Sequence, residues 1–131
     1  MALADDSEEK VLDHILGTTE YTFDATVFLG LGTDASPARA TFTEVPTGVG
    51  YARQAIVFSA ASGSTATNAA GTLTFGSCSG TAWGTLKSFG IFTASAAGSR
   101  VLQGALTDPT KVVGIGDSAT VVGGAIVVTT S

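Results

Sequence analysis

Charge is scarce in this chain. Only 13% of its 131 residues are Asp, Glu, Lys or Arg, about half the roughly 25% of an ordinary soluble domain. Cysteine and histidine occur once each, as Cys78 and His14. A lone cysteine excludes an internal disulfide, and one thiol with one imidazole does not supply a metal site. No apolar run reaches the 18 or so residues of a membrane span, and Met1 to Lys10 is acidic where a secretory leader would be basic. The six bases, Lys10, Arg39, Arg53, Lys87, Arg100 and Lys111, are scattered, whereas binding a phosphate backbone needs them clustered. The sequence therefore predicts no cofactor, no metal, no nucleic-acid partner and no membrane contact.

The charge that is present is segregated. Seven of the eleven carboxylates lie in the first 24 residues, and the other 107 residues carry four carboxylates against five bases. A long, nearly neutral body rich in Gly, Ala, Ser, Thr and β-branched residues repels its own copies weakly. Such a surface is wetted by hydroxyls and backbone or covered by neighbouring subunits. At this length one hydrophobic core is expected, not two.

Along the chain the apolar period changes once. Asp5, Asp6 or Ser7 can cap a helix with Glu8 and Glu9 in its first turn, Val11, Leu12, Ile15 and Leu16 form a stripe at helical spacing, and Gly17 suits the C-terminus. So short a helix needs its stripe packed against the body or a partner. From residue 21 the period falls to 2. Strands are expected over Tyr21–Leu31, Ala40–Val45, Tyr51–Phe58, around Leu73 and Phe75, over Trp83–Thr93, Arg100–Leu106 and Lys111–Ile115, and over Ala119–Thr129 with a break at Gly123 and Gly124. Ser59–Gly71, with nothing large in it, reads as a long turn or thin edge. These features predict a mainly β protein, an antiparallel β-sandwich or jelly-roll-like domain with one short N-terminal α-helix. The organisation is an arm and helix over residues 1–20 and a single β-sandwich domain over 21–131.

Catalytic constellations are not expected. His14 neighbours Asp13, but residues i and i+1 do not share a helix face, so the pair is not an oriented dyad. The glycine pairs Gly30/Gly32, Gly48/Gly50 and Gly114/Gly116 lack the rest of a phosphate-binding loop. Asp34, Asp108 and Asp117 sit in turn contexts, which weakens any pairing with Glu44 for glycoside hydrolysis. No G-x-S-x-G elbow occurs. The chain is read as a non-enzyme.

Two segments are the most individual. In GYARQAIVFSAASG, residues 50–63, Arg53 can extend over Tyr51 or pair with Glu44, or instead anchor a neighbouring subunit. In WGTLKSFGIFTASAAGSRVLQGAL, residues 83–106, Trp83 must pair its indole N–H if it is buried in the core, and otherwise forms an exposed platform with Tyr51.

These segments, with SEEKVLDHILGTTEYTFDATVFLGLGT before them and KVVGIGDSATVVGGAIVVT after, make the chain resemble a family of small tailed-bacteriophage virion proteins over Ser7 to Thr130. Members are often labelled tail fibre proteins, and some serve as head decoration proteins. The resemblance implies a helix leading into a β-sandwich, assembly on the particle and no catalysis. It points first to a capsid decoration (cement) protein on the outer head surface, bridging major capsid protein subunits or touching other virion structural proteins as a homotrimer. A small tail fibre or tail-tip protein that binds a host receptor is the alternative. Phe23, Tyr51 and Arg53 are the candidate partner-contact residues.

Overall fold

The computed structural model describes residues 2–20, 22, 26–38 and 41–129. Among the described residues one helix, α1 (Asp5–Ile15), accompanies eleven short strands: β1 (Ala2–Leu3), β2 (Val27–Gly32), β3 (Gln54–Ile56), β4 (Thr65–Thr67), β5 (Thr72–Phe75), β6 (Gly84–Leu86), β7 (Ser88–Phe92), β8 (Arg100–Ala105), β9 (Lys111–Val113), β10 (Ala119–Val122) and β11 (Val127–Thr129). All the strand pairings are antiparallel. The mainly β class with one short helix is as expected from the change of period.

The central unit is a five-stranded sheet in the order β1-β8-β7-β2-β3. Its two faces follow from alternation and register. Leu29 and Leu31 stand opposite Ile91 and Phe89, and Leu102 opposite Ile91, so these residues share the inner face. Three two-stranded ladders, β10-β5, β11-β4 and β6-β9, supply the other wall of the core with Phe75, Leu86 and Val113. Tyr51, Trp83 and Ile126, from the connections, complete it.

The helix starts one step earlier than expected. Ala4 occupies the N-cap position and gives no side-chain cap, since its methyl offers no acceptor; its own N–H donates to the Val101 carbonyl of β8. At the other end Gly17 takes φ +70°. The Gly17 N–H donates to the His14 carbonyl and the Thr18 N–H to that of Asp13, the paired bonds of a Schellman motif, which favours glycine at that position.

Three stretches differ in detail from the sequence reading. Within Ala40–Val45 only Glu44 forms a bridge, to Gly32; Ala40 itself lies outside the described residues. The segment adds a few bonds to the end of β2 and does not extend as a strand. Ser59–Gly71 contains β4, whose partner β11 is about 60 residues away and invisible to local pattern. Ala119–Thr129 is two strands in different ladders, with the turn at Gly123 and Gly124 between them. The strand expected to start at Tyr21 is described only as β2, Tyr21 lying outside the described residues.

Asn68 explains how the 122–126 turn is held. It is 5% exposed; its side-chain amide donates to the Val122 carbonyl at 3.0 Å and accepts the Ile126 N–H at 2.8 Å. Its backbone N–H and carbonyl bond Ile126 and Gly124. A buried amide with both ends satisfied fixes a turn that no hydrophobic contact would specify. Two other loops meet at Gly50 and Gly76. A Cβ on Gly50 would sit 1.9 Å from the Ser77 carbonyl oxygen, and one on Gly76 2.1 Å from that of Gly50, so the backbones touch where no side chain fits.

Candidate functional site

The outer face of the five-stranded sheet carries most of the strong polar chemistry. Its floor is glycine: Gly30 lies opposite Gly90, and Gly32 opposite Ser88. A Cβ on Gly30 would approach Glu44 Oε1 and the Phe92 ring to 2.8 Å, and one on Gly32 would meet the Phe42 ring at 2.7 Å. The missing side chains leave space that Phe42, Glu44, Phe92 and Arg53 occupy.

Arg53 is the hub. Its Nε and Nη2 donate to the two carboxylate oxygens of Glu44, each at 2.8 Å, and the pair is largely shielded, with side chains 12% and 20% exposed. Its Nη1 donates to the carbonyls of Ala94 and Ala97, at 2.9 and 2.7 Å. The guanidinium stacks over Phe92, 3.5 Å from the ring centroid, a cation–π contact favoured by the planar group. Arg100 repeats the motif more loosely, 5.4 Å above Phe42, while its Nε donates to Gln103 Oε1. Phe42 and Phe92 are themselves tilted against each other at 5.8 Å.

Tyr51 ties this clasp to the core. Its ring stacks on Phe75 and meets Trp83 edge-on, at 5.9 and 5.6 Å. Its hydroxyl accepts the Leu31 N–H at 2.8 Å and donates to Glu44 Oε1 at 2.7 Å. Burial pushes the phenol well above its ordinary range, and the hydrogen bond to the Glu44 carboxylate adds to the rise, since both disfavour a second negative charge there. Tyr51 therefore stays a neutral donor.

The clasp organises the exposed tip between β7 and β8. Arg53 holds it through Ala94 and Ala97, and the Thr93 hydroxyl accepts the Ser99 N–H at 3.0 Å. Ala97 adopts φ +52° within it. The geometry can hold a loop in one shape.

Of the candidate contact residues, Phe23 lies outside the described residues. Tyr51 is 5% exposed, and the guanidinium of Arg53 is engaged on all three nitrogens within the chain. The structure brings these two together with Glu44, the pairing weighed for Arg53 in the sequence. Trp83 is core: it is 3% exposed, and its indole N–H donates to the Val49 carbonyl at 2.8 Å. An exposed platform from Trp83 and Tyr51 is not formed. Cys78 is buried, with its thiol 3.2 Å from the Thr81 carbonyl. Asp108 caps its own turn: bonds from the hydroxyl and N–H of Thr110 hold its carboxyl below the usual carboxylate range. Asp117 accepts the Gly114 N–H, and Asp34 accepts that of Thr43. Among the described residues no three His, Cys, Asp or Glu side chains are grouped as metal ligands.

Sequence reasoning missed Phe42, Phe92 and Arg100 as members of the clasp. The signal was present in the glycines at 30, 32 and 90, which leave one face of adjacent strands without side chains. It becomes readable only when the register is known.

No curated protein matches the chain. A family model described as Podophage GP4 fiber I protein gp80 matches residues 2–129, which includes both β1 and β11 as well as the clasp and its loop. With a match of that extent, the chain belongs to the podophage GP4 fiber I protein gp80 family, a fibre-type family of phage virion proteins.

Proposed function

We propose that the chain is a non-enzymatic structural unit of the virion surface, the compact body of a short tail fibre that assembles as a homotrimer, joins other virion proteins and offers its loops to the host. The observation that carries this reading is the family match across the whole described body. The clasp supports it: the strongest polar group, Arg53, is spent on loop geometry, and a loop fixed before contact loses less entropy on binding. Tyr51 and Arg53 then serve the contact by holding the 93–99 tip in place, without touching the partner themselves.

A second reading, a decoration protein cementing major capsid protein subunits on the outer head, is favoured by the shortness of the elements. The helix has 11 residues and the longest strands six, so the helix spans about 16 Å at roughly 1.5 Å per residue. That is a knob without a shaft among the described residues, and a low-charge knob suits many modest contacts repeated with shell symmetry.

Quantitative mass spectrometry of purified virions, with the major capsid protein as internal standard, separates the readings. A few copies per particle are expected for a tail fibre, and hundreds for a decoration protein. A chain missing from the particle would overturn both.

A further inference from the structure

Two loops beside the outer sheet face have almost no apolar mass of their own. The loop 33–44 contains one large apolar side chain, Phe42, and the tip 93–99, TASAAGS, contains none. Ordering backbone costs conformational entropy that contacts must offset, so such loops depend on what they touch. Each closes on itself through a few bonds. In the first, the Thr33 N–H donates to the Thr43 carbonyl at 3.0 Å, Ala38 and Thr41 exchange backbone bonds at 3.1 and 3.2 Å, and the Thr43 N–H donates to the Asp34 carboxylate. In the second, the Thr93 N–H donates to the Ser99 carbonyl and the Ser99 N–H to the Thr93 hydroxyl, each at 3.0 Å.

Among the described residues three links join the loops, spaced along the first at Ala38, Phe42 and Glu44. Arg53 holds Glu44 through Nε and Nη2 and the carbonyls of Ala94 and Ala97 through Nη1. Phe42 lies 5.8 Å from Phe92, the residue before the tip. Arg100, the residue after the tip, stands 5.4 Å over Phe42, and its Nη2 reaches the Ala38 carbonyl at 3.4 Å. The tip is thus tied to the first loop from both of its ends and from its middle.

This placement keeps either loop from opening alone. Lifting the tip takes Ala94 and Ala97 off Arg53 and loosens Phe92 and Arg100, between which Phe42 is held. Lifting 33–44 removes Glu44, the carboxylate that fixes the Arg53 guanidinium beneath the tip. Segments that share their stabilising contacts open as one unit.

We infer that 33–44 and 93–99 are a single cooperative unit that opens and closes together, so that stretches stitched across 62 residues of chain present one surface. A partner seated on either loop then orders both, because the coupling is reciprocal. The inference rests on this geometry and not on the proposed function, and it holds wherever on the particle the protein sits.

Hydrogen exchange of the full chain, read residue by residue by NMR, tests it with one change in each loop. Gly98→Ala acts on the tip: Gly98 has φ +70°, and a Cβ there would meet the Thr93 hydroxyl oxygen at 2.8 Å and the Ala94 Cβ at 2.9 Å. Phe42→Ala acts on the other loop. Each change is expected to speed exchange about tenfold at Thr33, Thr41 and Thr43 and by the same factor at Thr93 and Ser99. The amides of Asn68 and Ala69, bonded to the Ile126 and Val57 carbonyls, are expected to keep their rates. A rise confined to the altered loop, or no rise in either, would overturn the proposal. A rise that reaches Asn68 and Ala69 by the same factor would overturn it too, because the loops would then open only with the whole fold.

Discussion

The two faces of the five-stranded sheet are built by opposite means. The inner face is aliphatic and aromatic, with Leu29, Leu31 and Ile91 each no more than 2% exposed, and its strength is ordinary burial. The outer face has glycine where side chains would stand, and a salt bridge, two stacked arginines and two phenylalanines fill the space. The inner face determines that the chain folds. The outer face determines the shape of the 93–99 tip, because Arg53 bonds its carbonyls directly. A largely shielded ion pair adds little net stability, so its value here is in fixing geometry.

This contrast can be broken from either side. Leu29→Ala, on the inner face, is expected to have the largest effect, a loss of about 4 kcal/mol by urea denaturation, within the range for emptying a packed core site. Arg53→Ala should cost about 3 kcal/mol, since it strands the shielded Glu44 carboxylate. The double change Arg53→Met with Glu44→Gln should cost less than Arg53→Ala alone, because no charge is left unpaired and the new side-chain amide would still accept the Tyr51 hydroxyl. If the double variant is the less stable, the pair is a source of stability and the contrast between the faces is wrong. Both variants should increase hydrogen exchange at 94–99, a readout that Leu29→Ala moves only through global unfolding.

Gly30→Ala sharpens the claim about the floor. Its Cβ would meet Glu44 and Phe92 at 2.8 Å, and the expected loss is about 1–3 kcal/mol, the usual cost of overpacking. The smallest effect is a slope with pH. Tyr51 ionises near pH 10 when unfolded and higher when folded, so the unfolded state releases its proton first. Stability from this group is complete below about pH 10 and is lost as pH rises above it, by at most about 1.4 kcal/mol per pH unit. Urea midpoints between pH 8 and 11 should show Tyr51→Phe less stable at neutral pH, where the Leu31 N–H loses its acceptor, and flatter at the alkaline end.

Much of the fold was legible because period and breakers are local. The helix with Gly17 as its stop, the strands around Leu29, Ile91 and Leu102, and the turn at Gly123 and Gly124 all follow from neighbours in sequence. Trp83 announced its own requirement, a partner for its N–H. What stayed hidden depends on long-range pairing. β4 is built of small residues and is a strand only because β11 lies beside it. Asn68 looks like any loop asparagine until the 122–126 turn closes on it. Arg53 and Glu44 could be matched from chain proximity, but Phe92 and the carbonyls of Ala94 and Ala97 are about 40 residues from Arg53. The helix stripe was legible from its spacing, and Leu12, Ile15 and Leu16 stay exposed in the folded chain.

The central claim is that this chain acts through its surfaces as a built-in part of the virion. A cryo-EM reconstruction of purified particles tests it most directly. The account predicts density for this fold at the tail, in symmetric copies that touch one another and another virion protein, with the 93–99 tip ordered at a contact or at the outward surface. Particles that carry no such density, or that carry isolated copies with the tip disordered, would contradict it.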